Sequence, residues 1–207
     1  LAGLDPERVR VVGASADVVL AGELPPGVGT KPSALCVSSL EPHKNVQGLL
    51  AAWSQVVRTV RTPCELVIAG TAPKSYFATL REVIHQVGIA DSVHCLEHPD
   101  DSQLGALYAA CDCYVSPSTQ EGFGLPVLEA MRVRAPVLAS RIPAHVELLG
   151  ADYPELFDPA SPVELASKLA AILADSSLQD RLRDFSRQRA GEFSWERVAG
   201  NVLEALK

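Results

Sequence analysis

The fold is decided by one stretch, Ser116-Pro-Ser-Thr-Gln-Glu121-Gly-Phe-Gly-Leu-Pro-Val-Leu-Glu129. The apolar residues 113–115 before it are typical of the end of a buried strand. Residues 125–131 have the pattern of a helix, which tolerates Pro126 in its first turn because an N–H group there has no partner. Gly122 and Gly124 lie between the two, where they permit a sharp turn and a close approach by a ligand. The stretch therefore predicts a strand, a glycine-rich turn and a helix start in succession.

Two glutamates lie close to this helix start. Glu121 belongs to the turn, and Glu129 falls one helical turn after Leu125, on the same face of the helix. A helix start suits a phosphate, whereas carboxylates suit the hydroxyl groups of sugars. The residues predict a nucleotide-sugar site, with the diphosphate at the helix start, the ribose on one glutamate and the donor sugar on the other. The alternative is a tight strand-to-helix turn with two solvated acids.

Short apolar strands and helical segments alternate from residue 33 onward. The predicted strands are 34–39, 64–69, 92–96, 112–115, 136–139 and 155–157. The predicted helices are 45–60, 75–87, 101–111, 125–131, 162–174, 177–190 and 195–206. This alternation predicts an α/β fold, a Rossmann-like doubly wound parallel sheet with helices on both faces. Ligands bind such sheets beyond the carboxyl ends of the strands, which here precede the segments 40–45, 70–74, 97–101 and 116–124.

The first 32 residues have a different character. Residues 8–12 have the composition of a strand, and residues 22–29 form a connector rich in proline and glycine. We expect residues 1–32 to be an interdomain tail or linker and residues 33–207 to be one domain. A linker so close to the first residue leads us to expect a larger segment before it.

Composition argues against several classes of partner. The formal net charge of −7 disfavours nucleic acid or an anionic membrane as the main partner. No apolar run reaches the roughly 20 residues that a transmembrane helix requires. The five cysteines are odd in number and lie mostly in apolar runs, which indicates buried thiols in a reducing compartment, so we expect a cytoplasmic location. No spacing of cysteine and histidine completes a zinc site, and we expect no metal.

Single polar residues near the strand ends have two interpretations each. Lys44 opens the first helix, where its cation could reach a diphosphate, although a lone lysine is commonly a solvated surface residue. His98 follows the third strand, where it could contact a nucleobase. Ser116 and Ser118 are better explained by capping and turn roles than as nucleophiles, because no Gly-x-Ser-x-Gly pattern surrounds them.

The order of shorter motifs along the chain supports the long one. They are residues 107–118 directly before it, Ser39-Leu-Glu-Pro-His-Lys44-Asn45, Val67-Ile-Ala-Gly70, Pro136-Val-Leu-Ala-Ser140 and Phe193-Ser-Trp195. Together with Glu121-Gly-Phe-Gly-Leu-Pro-Val-Leu-Glu129-Ala-Met they resemble the retaining GT-B glycosyltransferases of glycosyltransferase family 4. The E-x7-E signature of that family matches Glu121 and Glu129. The resemblance extends over nearly the whole chain from about Arg8.

The resemblance implies an architecture and a reaction. Members have two Rossmann-like domains with the active site between them, and this chain looks like the C-terminal, donor-binding domain without its N-terminal acceptor domain. The family transfers a sugar, here expected to be a hexose, from a nucleotide-sugar donor with retention of configuration, and it needs no metal or other cofactor. Any contact with a membrane surface is left to the missing domain, and no partner nucleic acid is implied.

The resemblance also assigns roles to residues. Lys44 would contact the donor diphosphate, Glu129 the ribose hydroxyls, and His98 would lie by the base. Glu121 carries the catalytic assignment. The donor-binding residues are thus Lys44, Gly122, Phe123, Gly124, Leu125, Glu129 and His98.

The chain departs from the family pattern at three places. Ser38 or Ser39 stands in the region where many members carry an arginine as a second phosphate cation. His43 stands where arginine is common, and Arg134 occupies a position after the motif helix that is usually glycine.

Three functions fit the residues and the resemblance. The first is the donor-binding half of a glycosyltransferase, which should bind a nucleoside diphosphate and transfer nothing by itself. The second is a non-catalytic nucleotide-binding domain of the same fold. The third is a GT-B epimerase that acts on a nucleotide sugar.

Overall fold

Six parallel strands form one sheet in the computed structural model, which describes residues 12–20 and 22–206. The strands are β1 Ser33–Ser38, β2 Glu65–Gly70, β3 Val93–Glu97, β4 Cys113–Ser116, β5 Val137–Ser140 and β6 Leu156–Phe157. Along the sheet they stand in the order β3-β2-β1-β4-β5-β6. The predicted α/β fold with a Rossmann-like parallel sheet is confirmed. The predicted strand at 8–12 falls outside the described residues except for Val12.

The helices follow the predicted order except for one, α5, that was not predicted. They are α1 Val46–Thr59, α2 Lys74–Gln86, α3 Asp101–Ala110, α4 Leu125–Arg132, α5 Pro143–Leu149, α6 Pro162–Ala174, α7 Ser176–Ala190 and α8 Trp195–Ala205. Two short 3-10 turns, Pro42–Lys44 and Ala90–Ser92, precede α1 and β3. None of the helices within the described ranges is long and apolar enough to cross a membrane.

The order in which successive strands join the sheet reverses between the neighbouring strands β1 and β4. Leu35 of β1 is paired with Val67 of β2 on one side and with Tyr114 of β4 on the other. The chain therefore winds outward from β1 in one direction and from β4 in the other. Ligands bind sheets of this kind beyond the carboxyl ends of the strands at such a switch, where the loops after β1 and β4 lie. The position of the site thus follows from the topology.

Apolar stripes fix the helices to the sheet. On α1, the residues spaced three and four apart are fully buried, and Trp53 also donates from Nε1 to Ser92 Oγ at 3.1 Å. This helix packs against α6, which contacts β1 and β4. Helix α4 packs against α7 and contacts β4 and β5. The elements that flank the crevice are therefore anchored in the main core.

Helix α5 lies outside the sequence prediction. It has only seven residues, too few to show a helical repeat, and it follows β5 after two residues. Ala144, Leu148 and Leu149 are buried on it, and so is His145. Helix α5 matters for the site because its residues His145 and Leu148 lie next to Gly124 of the glycine-rich turn.

The turn after α4 explains the departure at Arg134. This exposed residue has φ +64°, in the left-handed region that favours glycine, and its N–H donates to Met131 O at 3.0 Å. Ala135 N–H donates to Ala130 O at 2.9 Å, so the helix is closed in the usual way. The chain makes the turn that glycine would make, with a residue that is strained there.

The segment 12–20 packs on the domain. Ser15 and Ala16 are buried, and Ser15 Oγ donates to Phe193 O at 3.0 Å. Trp195 Nε1 donates to Asp17 Oδ2 at 2.9 Å, which ties the same segment to α8. The proposed boundary between residues 32 and 33 stays a prediction.

Candidate functional site

Lys44 and Glu121 meet at the carboxyl ends of β1 and β4. Lys44 Nζ lies 2.8 Å from each carboxylate oxygen of Glu121, and both side chains are only 12% exposed. Ser118 Oγ donates to Glu121 Oε1 at 2.7 Å. Burial raises the pKa of Glu121, but the hydrogen bonds from Lys44 and Ser118 outweigh it and hold that pKa below its ordinary value. Glu121 is therefore a carboxylate at neutral pH.

The loop that carries Lys44 is held in an unusual backbone conformation. Leu40 and Asn45, at its two ends, have φ values of +48° and +51°. Leu40 is buried, and its N–H donates to Ser38 Oγ at 3.1 Å. Asn45 Nδ2 donates to Pro117 O at 3.2 Å. A positive φ is uncommon for a branched residue such as leucine, and such conformations cluster at ligand sites.

A second set of contacts joins the two loops directly. The N–H of Thr119 donates to His43 O at 2.8 Å, and its hydroxyl reaches the same oxygen at 3.2 Å. The loops after β1 and β4 are thus fixed to each other before any ligand arrives. Lys44 and Glu121 therefore occupy defined positions, which lowers the ordering cost of binding.

The start of α4 carries no side-chain cap; Gly124 is buried there, whereas Gly122 and Leu125 are exposed. Gly124 precedes the helix with φ +93°, and neither its N–H nor that of Leu125 donates to any atom of the described residues. Leu125 is 44% exposed, and a Cβ on Gly122 would meet nothing within 4 Å. Phe123 lies half-buried, edge-on to Phe193 with 6.3 Å between ring centroids. The tip can accept an anion from the solvent side.

Glu129 has a different partner from Glu121. Tyr108 donates its hydroxyl to Glu129 Oε2 at 2.7 Å. Burial raises the pKa of Glu129, the hydrogen bond from Tyr108 opposes this, and the charge of Asp101 adds to it. Both residues line a cavity of about 130 Å³ together with Asp17, Val18, Val19, Asp101 and Leu104. This cavity is rich in hydrogen-bond acceptors, a chemistry that suits hydroxyl groups.

Tyr108 and His145 are site residues that the sequence did not reveal. Tyr108 lies in the predicted third helix, where no role was assigned to it. His145 is fully buried on α5, where its Nδ1 lies 2.9 Å from Ser140 O and its Nε2 lies 3.3 Å from Ser116 Oγ. Burial lowers the pKa of His145 below its ordinary value. Correct placement of α5 would have pointed to this histidine.

His98 stands apart from the other candidates. It is exposed, has φ +52°, and its N–H donates to Gly70 O at 2.9 Å. No hydrogen bond or ion pair joins its described side chain to Lys44, Glu121 or Glu129. Its neighbours Glu97 and Pro99 line a cavity of about 240 Å³ with Pro25, Arg81, Cys95, Leu96 and Gln103. The structure thus brings Lys44 and Glu121 together, places Glu129 one turn along α4, and leaves His98 outside this group.

No group of three or more metal-ligating side chains occurs among residues 12–20 and 22–206. The assignments of Lys44, Glu121, residues 122–125, Glu129 and His98 to a donor site stay predictions.

The class of protein follows from the topology and the crevice. A parallel sheet in this order defines a Rossmann-like domain, and it carries a cation, an uncapped helix start and two carboxylates near the switch between β1 and β4. Residues 26–189 match the model of the glycosyl transferases group 1 family. The chain belongs to this family.

Curated relatives agree with the family. The O-antigen chain mannosyltransferase B of Escherichia coli is 31% identical over 178 residues, which cover 84% of this chain and 45% of the relative. The D-inositol 3-phosphate glycosyltransferase of Segniliparus rotundus is 30% identical over an alignment 224 positions long, which covers 98% of this chain and 47% of the relative. The chain therefore spans less than half the length of these two relatives.

Solved structures show the same fold. Sucrose-phosphate synthase from Thermosynechococcus elongatus matches with a TM-score of 0.79 and 24% identity, over 95% of this chain and 52% of that one. HepE of Anabaena, solved in complex with UDP and glucose, matches with a TM-score of 0.76 and 25% identity, over 87% of this chain and 49% of that one. The predicted resemblance to the C-terminal domain of GT-B glycosyltransferases is confirmed. Membership of family 4 and retention of configuration stay predictions.

Proposed function

We propose that this chain is the donor-binding domain of a retaining, metal-independent glycosyltransferase that transfers a hexose from a nucleotide sugar. The single observation that carries the proposal is the Lys44–Glu121 pair, 2.8 Å apart at the carboxyl ends of β1 and β4, with Glu121 in the loop that leads into the uncapped start of α4. A nucleoside diphosphate needs a cation and backbone N–H groups, and a sugar needs acceptors. This crevice offers all three.

The diphosphate is assigned to the α4 tip and Lys44. Charge builds up on the nucleoside diphosphate as it leaves the sugar. A helix start and a buried ammonium group stabilise such charge because both are already oriented toward it. Glu121 is assigned to the donor sugar, since its carboxylate stands next to Lys44 and stays ionised. The reaction under this assignment needs no metal ion to neutralise the diphosphate.

The ribose is assigned to Glu129. Its carboxylate already accepts one hydrogen bond from Tyr108 and lies at the wall of a cavity about 130 Å³ in volume. A ribose supplies two neighbouring hydroxyl groups that can donate to the remaining lone pairs. The HepE structure holds UDP and glucose on the same fold, which supports a nucleotide-sugar ligand for this chain.

The chain alone is proposed to bind donor without turnover. It spans less than half of its two curated relatives above, and the GT-B active site is a cleft between two domains. The acceptor, and any contact with a membrane surface, would be supplied by the other domain. We place the reaction in the cytoplasm, where nucleotide sugars and reduced thiols coexist. The mannosyltransferases among the relatives make mannose the first hexose to test.

Calorimetry with UDP, GDP and ADP tests donor binding. Wild type should bind at least one of them, and Lys44→Met should weaken that binding about 10- to 100-fold, the usual worth of a charge-assisted hydrogen bond. Lys168→Met is the matched control. Lys168 lies on α6, its Nζ is 3.6 Å from Glu155 Oε2, and it is not one of the candidate site residues. Binding of none of the three nucleotides would refute the proposal.

Ribose recognition has its own test. Wild type should prefer a nucleoside diphosphate over its 2′,3′-dideoxy analogue by about tenfold or more, and Glu129→Ala should remove this preference. A preference that survives Glu129→Ala would show that another group holds the ribose. Full-length protein assayed with a panel of donors then separates a transferase from a non-catalytic nucleotide-binding domain, and sugar release without an acceptor would favour an epimerase.

A further inference from the structure

A buried chain of hydrogen bonds runs from α5 to the Lys44–Glu121 pair. His145 Nδ1 lies 2.9 Å from Ser140 O and 3.1 Å from Ser140 Oγ. The Ser140 hydroxyl donates to Ser118 O, and the Ser118 hydroxyl donates to Glu121 Oε1 at 2.7 Å. These contacts link α5 to the last residue of β5, and that residue to the loop after β4. A side chain on a seven-residue helix is thereby connected to the carboxylate that holds Lys44.

The partners of His145 define its tautomer. A carbonyl oxygen can only accept, so Nδ1 must carry the hydrogen that points at Ser140 O. Nε2 is then an acceptor, and Ser116 Oγ, 3.3 Å away, donates to it. The neutral ring with hydrogen on Nδ1 satisfies every contact. Burial favours the same neutral state.

The ring also supports the α4 tip. A Cβ built on Gly124 would lie 3.3 Å from His145 Cδ2 and 3.1 Å from Leu148 Cδ1. Gly124 itself has φ +93°. One buried side chain therefore limits the space beside Gly124 and is connected, through two serines, to the carboxylate of Glu121.

We infer that His145 is a positioning residue of the donor site, which as the neutral Nδ1–H tautomer fixes the 116–124 loop and so the places of Glu121 and the α4 tip. Its effect on donor binding rests on the proposed function, whereas its effect on the loop does not. Serines 116, 118 and 140 are the links through which it acts. The groups charged near it are Glu121 and Lys44.

Three variants test the chain of contacts. His145→Phe keeps a ring but removes both nitrogens. His145→Asn keeps a donor near the Nδ1 position, so it should rescue the contact with Ser140 O. Ser140→Ala leaves that carbonyl contact in place and removes the hydroxyl, and with it the link to Ser118 O and the 3.1 Å contact of Ser140 Oγ with His145 Nδ1. Because Ser140→Ala perturbs the core least, it stays informative if His145→Phe folds poorly.

Two readouts are needed, hydrogen–deuterium exchange of the 116–124 peptide without ligand and the Kd of the tightest-binding nucleoside diphosphate. We expect His145→Phe and Ser140→Ala to speed exchange and raise Kd, each by about fivefold to tenfold, the worth of one lost hydrogen bond. His145→Asn should stay within about twofold of wild type. The double variant of His145→Phe and Ser140→Ala should be no worse than the poorer single variant, because both break one chain.

Tyr153→Phe is the matched control. It removes a buried hydroxyl that donates to Val137 O at 2.6 Å on β5, and this bond does not lead to Ser118. It should lower the melting temperature and leave both readouts at the wild-type level. The role of His145 would be overturned if His145→Phe and Ser140→Ala leave the exchange rate and the Kd unchanged. It would also be overturned if His145→Asn changes both readouts as much as His145→Phe does. If wild type binds no nucleotide, the proposed function fails and the exchange data alone decide the positioning role.

Discussion

Lys44 donates to both carboxylate oxygens of Glu121 at 2.8 Å, so the cation of the candidate site is paired with an anion. An incoming diphosphate must therefore compete with Glu121 for the same ammonium group. The pair keeps Lys44 in place, but it also subtracts from the affinity for phosphate. Glu121 therefore has two proposed roles, to bind the donor sugar and to pair with Lys44, and a variant can test the second role separately.

Removal of the Glu121 charge should strengthen binding of the product nucleotide. We expect Glu121→Gln to lower the Kd for a nucleoside diphosphate about fivefold, since a competing pair worth roughly 1 kcal/mol is lost while the Ser118 contact can persist. Calorimetry with the diphosphate measures this, and the nucleoside without phosphate is the control. An equal gain for the nucleoside would show that the change does not act through Lys44.

The two glycines of the turn should respond differently to alanine. Gly124→Ala places a Cβ against His145 and Leu148 in a left-handed backbone, and we expect a loss of about 1–2 kcal/mol in the free energy of unfolding. Gly122→Ala adds a Cβ that meets nothing within 4 Å, so it should lower the free energy of unfolding by no more than a few tenths of the loss expected for Gly124→Ala. Urea titration measures both. Equal losses would contradict the close contact at Gly124.

Arg134→Gly should stabilise the protein. The residue is exposed with φ +64°, so glycine removes left-handed strain, and we expect a gain of about 1 kcal/mol in the free energy of unfolding. Arg141→Gly is the matched control, because Arg141 is also exposed and its backbone is not in the left-handed region. It should be neutral or destabilising. A loss of stability at both positions would mean that the side chain of Arg134 matters more than its backbone.

His145 should make stability depend on pH. Burial lowers its pKa in the folded state below the ordinary 6.5, and the charge of Lys44 adds to this, while Ser140 O and Glu121 oppose it. The unfolded chain therefore binds more protons than the folded chain in the window below pH 6.5. The contribution of His145 to the free energy of unfolding is fully present above that pH and is lost as the pH falls. The slope should be at most about 1.4 kcal/mol per pH unit. Urea titrations between pH 5 and 8 should show this slope in wild type and Tyr153→Phe but not in His145→Asn.

Much of the fold could be predicted because strands and long helices have distinct periods. Helix α1 shows its apolar stripe over four turns, and both ends of each predicted strand from residue 33 onward lie within one residue of the ends of the observed strand. Lys44 and Glu121 could be placed near each other because both follow strands of one parallel sheet. Their direct pairing could not be predicted, since it depends on side-chain rotamers and on backbone values at Leu40 and Asn45 that no residue type demands.

Helix α5 shows where sequence patterns fail. Seven residues cannot display a period of 3.6, and Pro143 is compatible with either a turn or a helix start. The position of His145 could not be inferred without that helix. Tyr108 was hidden for another reason, because a buried aromatic residue on a helix is usually core and its hydroxyl partner comes from a different element.

The crossing of Val19 over α3 has a practical consequence. A methyl group on Gly105 would stand 1.7 Å from the carbonyl oxygen of Val19, so only glycine lets the two backbones pass. Asp17, Val18 and Val19 meanwhile form one side of the Glu129 cavity. A shortened protein that begins at the first strand would lack these three residues and therefore one side of the Glu129 cavity, so the strand pattern alone marks the wrong first residue for a protein that is to keep this cavity.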